Sequence, residues 1–350
     1  MAGDILPFLC YNINMSIWQD LPKHFLALAP MEGVTDVVFR QVVAKAGKPD
    51  LFFTEFTNVS SFASEKGRDN ALERLDTVES DHPIIAQIWG KNPEHFAYLA
   101  QHLEELNFQG LDINMGCPDK HVIKAGGGSA MIENPDLAIK CIKEAKTNTT
   151  LPVSVKTRLG YSKIDEYKTW LPLLLEQDLA NLTVHLRTRK EMSKVSAHFE
   201  LIPEIIKLRN GIAPHTKLTI NGDIADKAHA KKIWQQYPQV DGIMIGRGVF
   251  ANPYCFTSHT PTKKELLELF NYHLDLFQAR QEELAARGSH YPFAPIKHFI
   301  KIYINGSENS KIFRSELMNC KDIEEIKLLI ERGAQAAAVR PLGRVSEAKH

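Results

Sequence analysis

The sequence predicts a (β/α)8 barrel followed by a small C-terminal helical domain. Eight short apolar, β-branched runs begin about 25 to 43 residues apart, which leaves room for one helix and two loops in each interval. Helix-compatible stretches fill these gaps, and after residue 261 the pattern becomes helical throughout. A doubly wound sheet is the alternative, but such a sheet seldom needs eight units of such even length.

The predicted elements give the domain boundaries. Strands are expected at residues 25–30, 51–56, 83–88, 110–116, 153–160, 182–188, 217–223 and 242–248. Barrel helices are expected at 93–106, 135–146, 167–177 and 227–236, and C-terminal helices at 263–286, 295–305, 310–318 and 322–332. We therefore expect an N-terminal extension at 1–24, the barrel at 25–258, the helical domain at 259–335 and a polar tail at 336–350.

Composition narrows the class of protein. Lys plus Arg equal Asp plus Glu at 42 each, so a large RNA footprint is not indicated, although a local basic face remains compatible. The 5 cysteines are scattered without metal-ligand spacing, which favours reduced thiols in a cytoplasm and no metal site. We expect no signal peptide, no membrane span and no obligate protein partner.

Polar residues gather where the predicted strands end. The ends read A-P-M-E-G-V-T-D (29–36), Gln87, D-I-N-M-G-C-P (112–118), S-V-K-T-R-L-G (154–160), H-L-R-T (185–188), N-G-D (221–223) and I-G-R-G (245–248). Because the carboxyl ends of barrel strands form the active-site face, these residues predict a pocket.

Small residues after the last two strands predict a phosphate site. Gly222, Gly246 and Gly248 let backbone N–H groups approach an anion, and Arg247 adds a charged donor. The alternative is that these glycines only make tight turns.

Lys156 and His185 lie on adjacent predicted strands and should point inward together. A lysine inside a barrel needs an anionic or electron-rich partner, such as the polar edge of a flavin ring. The alternatives are a structural ion pair of Lys156 with Glu55 or Asp112, and a core histidine at position 185.

Cys117 stands in a polar loop at a strand end, with three glycines downstream. A buried thiol is usually a small hydrophobic residue. This setting favours reactivity instead, and with a pKa of about 8.5 a thiol is mostly protonated at neutral pH and can act as a general acid.

These motifs, taken in order together with G-G-G-S-A (126–130), resemble the tRNA-dihydrouridine synthase family over residues 25–256 and more weakly over the helical region. The resemblance implies an FMN-containing barrel, in which NADPH reduces the flavin and the flavin reduces a tRNA uridine. Cys117 would be the proton donor. Flavin contacts would come from Pro30, Met31, Glu32, Gln87, Lys156, His185, Asn221, Gly222, Asp223, Gly246 and Arg247.

The resemblance places Asn114 against the flavin or the uracil, and Arg158 and Arg187 at the substrate. In the helical domain, Lys297, Lys301, Lys311 and Arg314 would hold the tRNA backbone, unless they form an ordinary solvated helix face. Two features depart from the family pattern, namely Leu186 in place of a glycine and the whole segment 189–199.

Two other functions are compatible with these residues. One is a flavin barrel that acts on a small molecule, such as a dihydroorotate or enoate oxidoreductase. The other is a non-catalytic RNA-binding barrel that has lost its flavin.

Overall fold

Parallel strands form a ring in the computed structural model, which describes residues 17–305 and 308–339. The strands are β1 (Phe25–Leu28), β2 (Phe52–Phe53), β3 (Thr57–Asn58), β4 (Ile84–Trp89), β5 (Leu111–Met115), β6 (Val153–Arg158), β7 (Asn181–His185), β8 (Lys217–Asn221) and β9 (Gly242–Ile245). Their order is β1-β9-β8-β7-β6-β5-β4-β2, and a parallel bridge between Ala27 and Leu51 joins the two ends. The predicted (β/α)8 barrel is thereby confirmed.

The second barrel strand is split into β2 and β3, and both pieces pair in parallel with β4. Thr54 lies at the interruption. Its hydroxyl accepts a hydrogen bond from Gln87 N at 3.0 Å and donates one to Glu55 O at 2.7 Å. A side chain thus takes a backbone N–H that a regular ladder would use, and the pattern of apolar residues could not reveal this.

Fifteen helices accompany the strands in the described residues. They are α1 (Ile17–Asp20), α2 (Val37–Gly47), α3 (Val59–Ala63), α4 (Glu65–Glu73), α5 (Pro93–Glu105), α6 (Lys120–Lys124), α7 (Pro135–Thr147), α8 (Tyr167–Leu175), α9 (Ile202–Ile212), α10 (Lys227–Gln236), α11 (Gly248–Ala251), α12 (Lys263–Ala286), α13 (Ile300–Tyr303), α14 (Glu308–Asn319) and α15 (Ile323–Val339). Short 3-10 helices occur at Glu79–Asp81, Gly128–Glu133, Ile164–Glu166, Phe199–Leu201 and Ala294–Phe299. None of these helices is long and apolar enough to cross a membrane.

The N-terminal end of β1 packs against α1. Trp18 lies edge-on to Phe25, with 6.0 Å between ring centroids, and both side chains are buried in one apolar cluster with Ile17 and Leu21. Part of the predicted N-terminal extension therefore contributes to the core of the barrel. Residues 1–16 lie outside the described residues.

The described chain divides into two compact units. The first unit contains the strands and consists of the described residues up to Val37 together with Pro49–Gly246. The second unit combines Val38–Lys48 with the described residues from Arg247 onward. The second unit has its own aromatic core, in which Phe39 lies 4.8 Å from Phe299 between ring centroids.

The predicted domain boundaries remain predictions. The compact units part next to Gly246, earlier than the predicted boundary at residue 258, because the short helix α11 and the turn after it cluster with the C-terminal helices. Helix α15 continues to Val339, past the predicted start of the tail, and residues 340–350 lie outside the described residues.

We predict that Gly242→Ala destabilises the barrel. Gly242 is paired with Phe25 and Thr219 across the two neighbouring strands, and an added Cβ would lie 2.6 Å from Thr219 Oγ1 and closer still to the Phe25 ring. Overpacking of this kind lowers the free energy of unfolding by about 2 kcal/mol. Urea denaturation monitored by circular dichroism measures the change.

Gly211→Ala is the matched control. Gly211 lies in α9 with no atom within 4 Å of an added Cβ, so the substitution should stabilise the helix by about 0.5–1 kcal/mol. A stability of Gly242→Ala equal to that of the wild type would contradict the close packing at the start of β9.

Candidate active site

Side chains at alternate positions of β6 point into the barrel. Thr157 accepts a hydrogen bond from Trp170 Nε1 of α8 at 2.8 Å and therefore faces the outer helices. Its neighbours Lys156 and Arg158 face the interior. In the strand register Lys156 lies beside Asn114 of β5, and Arg158 lies beside His185 of β7. The structure thus brings four of the predicted site residues to one end of the ring.

A fully buried carboxyl group organises the layer below. Asp112 accepts hydrogen bonds from Gln87 Nε2 and Ser154 Oγ, each at 2.6 Å. Burial raises the pKa of Asp112 to about 6, although these two hydrogen bonds act in the opposite direction. Gln87 Oε1 in turn accepts from Asn114 Nδ2 at 2.9 Å. The side chain of Asn114 is therefore oriented from below through Gln87.

Asn114 fixes the loop that carries Cys117. Its Oδ1 accepts hydrogen bonds from Gly116 N at 3.1 Å and from Cys117 N at 2.9 Å. Because Gln87 orients the same amide, the carbonyl oxygen of Asn114 must face this loop. The result is a continuous path of hydrogen bonds from the buried Asp112 to the backbone of Cys117.

Cys117 lines a cavity of about 990 Å³. The same cavity is lined by Phe56, Trp89, Arg74 and Glu32. Burial raises the pKa of the partly exposed Cys117 thiol above its ordinary value, although a hydrogen bond from the Asp119 backbone and the charges of Lys156 and Arg158 act in the opposite direction. The thiol is therefore protonated at neutral pH and can give a proton to a molecule in the cavity.

The side-chain ammonium group of Lys156 forms no hydrogen bond or ion pair with any residue in the part of the chain that the structure describes. Burial lowers the pKa of its ammonium group to about 8, and the neighbouring Arg158 acts in the same direction. Neither of the ion pairs considered from the sequence, with Glu55 or with Asp112, is formed. An inward lysine without a partner leaves room for an anionic or electron-rich ligand.

Arg158 is almost fully buried and links two loops. Its Nε donates to Gly116 O at 2.7 Å, and its Nη1 lies 3.2 Å from Thr188 O and 3.4 Å from His185 Nδ1. Burial lowers the pKa of this guanidinium to about 10. Its Nη2 makes no hydrogen bond within the described residues, so one end of the side chain is available to a ligand.

Comparison with known proteins identifies the family of this site. The model of the dihydrouridine synthase (Dus) family matches residues 27–339. A Bacillus subtilis protein named "Probable tRNA-dihydrouridine synthase 2" is 50% identical over 318 residues, which are 90% of this chain and 96% of that protein. A Staphylococcus aureus and a Staphylococcus epidermidis protein, both named "Probable tRNA-dihydrouridine synthase", are 48% and 46% identical over 90% of this chain and 95% of their own lengths. The chain belongs to the dihydrouridine synthase family. The family that the strand-end motifs predict is thereby confirmed.

The loop after β1 is held by its own residues and by Glu55. Met31 N donates to Thr35 Oγ1 at 2.8 Å, and Gly33, which has a positive φ of 68°, donates its N–H to Glu55 Oε1 at 2.5 Å. Burial raises the pKa of Glu55 to about 7, and the nearby Asp36 adds to this effect. The loop thus presents Pro30 and Met31, both predicted flavin contacts, at the end of the strand.

Glu32, another predicted flavin contact, forms an ion pair with Arg74 at 2.5 Å. Both side chains are about two-fifths exposed, so the pair lies at the edge of the cavity that Cys117 lines. Burial raises the pKa of Glu32, and the charge of Arg74 opposes this. The flavin contact of Glu32 stays a prediction.

The ends of β7 and β8 are joined by an ion pair between the buried Arg187 and the more exposed Asp223. Arg187 Nη2 contacts Asp223 Oδ2, its Nε donates to Val195 O at 2.7 Å, and Asp223 Oδ2 also accepts from Ala197 N at 3.0 Å. Gly222 has a φ of 124°, a conformation that favours glycine. Arg187 is 1% exposed, and these contacts give it a structural role. Its contact with the substrate stays a prediction.

The remaining predicted phosphate ligands occupy the ends of β8 and β9. Asn221 Nδ2 donates to Met244 O at 2.8 Å, which holds the two strand ends together. Gly246 directly follows β9, and an added Cβ there would lie 3.4 Å from Ala29 Cβ. Arg247 is the next residue and is exposed.

Leu186 does not reach the cavity that Cys117 lines. Leu186 is fully buried, its N–H donates to Asn221 O, and its carbonyl accepts from His198 N, both at 2.9 Å. Its side chain therefore contributes to packing and is absent from the wall around Cys117.

The sequence did not single out several residues of the site. Arg74 follows α4, and Trp89 is an apolar residue at the end of β4, so neither belonged to the polar motifs that predicted the site. Ser154 could have been found from the sequence, because it alternates with Lys156 and Arg158 along β6 and therefore faces the interior as they do. No group of three or more His, Cys, Asp or Glu side chains that could hold a metal occurs among the described residues.

Two of the four basic residues predicted to hold tRNA are engaged within the helical unit. Lys297 Nζ donates to Met318 O at 2.8 Å, and Arg314 Nη1 donates to Ile304 O at 2.7 Å. Lys301 and Lys311 are exposed. The sequence could not separate basic side chains that cap helix ends from those that face solvent.

We predict that Asp112→Asn changes the pH dependence of stability. Because the folded protein raises the pKa of Asp112 from 3.8 to about 6, its stabilising contribution is complete below pH 3.8 and is lost as the pH rises to 6. Between pH 4 and pH 7 the free energy of unfolding of the wild type should therefore fall by about 2 kcal/mol more than that of the variant. Urea denaturation at a series of pH values measures this difference.

Asp165→Asn, at an exposed carboxyl group, should follow the wild-type pH profile. Identical pH profiles for the wild type and Asp112→Asn would show that the buried carboxyl does not take up a proton in this range.

Proposed function

We propose that this chain is a tRNA-dihydrouridine synthase that reduces the 5,6 double bond of a tRNA uridine, with Cys117 as the proton donor, FMN as the cofactor and NADPH as the reductant. The observation that carries the proposal is the position of the Cys117 thiol in the wall of a large cavity, on a loop fixed by Asn114. The names of the relatives, which are 46 to 50% identical to the chain, support the substrate.

The residues present fit a flavin. The inward ammonium group of Lys156 has no partner in the described part of the chain, and the polar edge of a flavin would provide one. Gln87 and His185 would complete that edge, and the loop after β1 with Pro30, Met31 and Glu32 would lie against the ring. The phosphate would be held by Asn221, Gly222, Asp223, Gly246 and Arg247, where small residues allow close approach of the backbone.

In the proposed mechanism the protein supplies position and a proton. When bound, the reduced flavin supplies a hydride to one carbon of the uracil double bond. Cys117 Sγ donates its proton to the other carbon, and Asn114 keeps the Cys117 backbone in place during this step. Arg158 can contact the substrate with its free Nη2 while its Nε holds Gly116 O. Proximity of donor and acceptor is the main catalytic contribution of these residues.

Access of a uridine requires that the base leave its stack in the RNA. A cavity of about 990 Å³ beside Cys117 is large enough for a flipped nucleotide. Phe56 and Trp89 offer aromatic surface in its wall. We place the enzyme in the cytoplasm, where its tRNA substrate would be reduced.

The direct test is to incubate the purified flavoprotein with NADPH and an unmodified tRNA transcript. We expect dihydrouridine at a defined position, detected by mass spectrometry, and loss of the same modification from cellular tRNA when the gene is deleted. Protein that is colourless and takes up no FMN, or tRNA that keeps its dihydrouridine after deletion, would overturn the proposal.

We predict that Cys117→Ala retains FMN and its reduction by NADPH but loses uridine reduction. The proton donor is removed while the flavin contacts remain, so turnover should fall by about 10² to 10⁴-fold. Stopped-flow flavin absorbance and the yield of dihydrouridine separate the two half-reactions.

Cys141→Ala is the matched control, because Cys141 is fully buried on α7 and its pKa is raised to about 12 by burial. This variant should keep near-normal turnover. Full turnover by Cys117→Ala would refute the assignment of the acid.

We predict that Lys156→Met weakens FMN binding while the flavin-free protein remains at least as stable. Removing an inward charge without a partner relieves a desolvation cost, whereas the flavin loses a charged contact. The dissociation constant for FMN should rise about 10-fold or more, measured by fluorescence titration, and urea denaturation reports the stability.

Lys163→Met, at an exposed lysine, should change neither quantity. A Lys156→Met protein that binds FMN as tightly as the wild type would exclude Lys156 from the flavin site.

A further inference from the structure

The segment that follows Arg187 is fixed by a carboxylate. Glu191 Oε2 accepts hydrogen bonds from Thr188 N at 2.7 Å and from Thr188 Oγ1 at 3.0 Å. Glu191 Oε1 lies 3.0 Å from His198 Nε2, and the other ring nitrogen of His198 lies 2.9 Å from Glu200 Oε1. One side chain thus ties the beginning of the segment to its end.

The same segment supplies two of the acceptors that hold Arg158. Arg158 Nη1 lies 3.2 Å from Thr188 O and 3.3 Å from Met192 O. At the other side of the guanidinium, Nε donates to Gly116 O at 2.7 Å. Gly116 immediately precedes Cys117, so the position of the Cys117 loop depends on where Arg158 is held.

The local backbone requires such a restraint. Met192 has a positive φ of 53° although it is not a glycine, and 45% of its surface is exposed. This conformation costs about 1–2 kcal/mol and persists only where surrounding contacts impose it. Packing of an exposed side chain cannot supply those contacts, whereas the three hydrogen-bonding atoms around the Glu191 carboxylate can.

We propose that Glu191 is a positioning residue for Cys117. It fixes the carbonyl groups of Thr188 and Met192, these hold Arg158, and Arg158 holds the carbonyl group of Gly116. The inference deepens the proposed function, since it assumes that the Cys117 thiol is the proton donor. It also gives a use to the segment 189–199, where the chain departs from the family pattern.

The test compares Glu191→Ala with Glu200→Ala. Both substitutions remove a carboxylate that contacts His198, but only Glu191 also holds Thr188. We expect Glu191→Ala to lower kcat for reduction of an unmodified tRNA transcript about 10-fold. Its KM and its rate of flavin reduction by NADPH should stay within 2-fold of the wild type. Glu200→Ala should match the wild type, and Glu191→Gln, which keeps an acceptor for Thr188, should restore most of the activity.

A second measurement does not depend on turnover. Alkylation of Cys117 by iodoacetamide, followed by mass spectrometry of its peptide, reports how well its loop is held. Glu191→Ala should react about 5-fold faster than the wild type, which corresponds to loosening by about 1 kcal/mol. This result would stand even if the wild type made no dihydrouridine, so failure of the proposed function is distinguishable from failure of this inference.

A double variant tests the order of the contacts. Arg158→Lys breaks the link between Gly116 and the segment, so adding Glu191→Ala to it should speed alkylation no further. Thermal melting checks that each variant is folded, and Glu191→Asp, which is too short to reach both partners, replaces Glu191→Ala if the latter is unfolded. Wild-type alkylation and turnover in a folded Glu191→Ala or Glu191→Asp variant, or additive effects in the double variant, would overturn the inference.

Discussion

The geometry of this site depends on one buried carboxyl group. Asp112 lies inside the barrel, where a charge is costly unless it is hydrogen-bonded, and Gln87 and Ser154 provide the necessary donors. Because the amide nitrogen of Gln87 is bound to Asp112, its carbonyl oxygen points the other way and accepts a hydrogen bond from Asn114. The orientation of Asn114 then decides where the backbone of Cys117 lies.

The buried network also explains why polar residues are tolerated in the interior. Polar side chains inside the barrel form hydrogen bonds with one another. For example, Asn181 donates to Thr183 on β7 and accepts from Thr219 on β8. The ammonium group of Lys156 differs from these side chains, since it has no hydrogen-bond or ion-pair partner in the described part of the chain. An inward charge of this kind is the feature of the barrel that the proposed flavin would satisfy.

The sequence predicted the fold and much of the site because both follow from periodicity. Apolar runs placed every strand except β3, and the alternation within S-V-K-T-R-L-G put Lys156 and Arg158 on the inner face. Contacts between distant segments could not be predicted. The Arg187–Asp223 pair, the Glu32–Arg74 pair and the role of Thr54 in splitting the second strand all join residues that are 33 to 42 positions apart. Hydropathy carries no information about which polar groups meet at such separations.

The protonated state of Cys117 has a consequence for the durability of the enzyme in the cell. Peroxides and disulfides react with the thiolate and hardly with the thiol. Burial that keeps the proton on Sγ therefore also slows oxidation of this side chain, and Cys141 and Cys320 are likewise raised in pKa by burial. The proposed proton donor is thus protected from oxidation by the same burial that keeps it protonated.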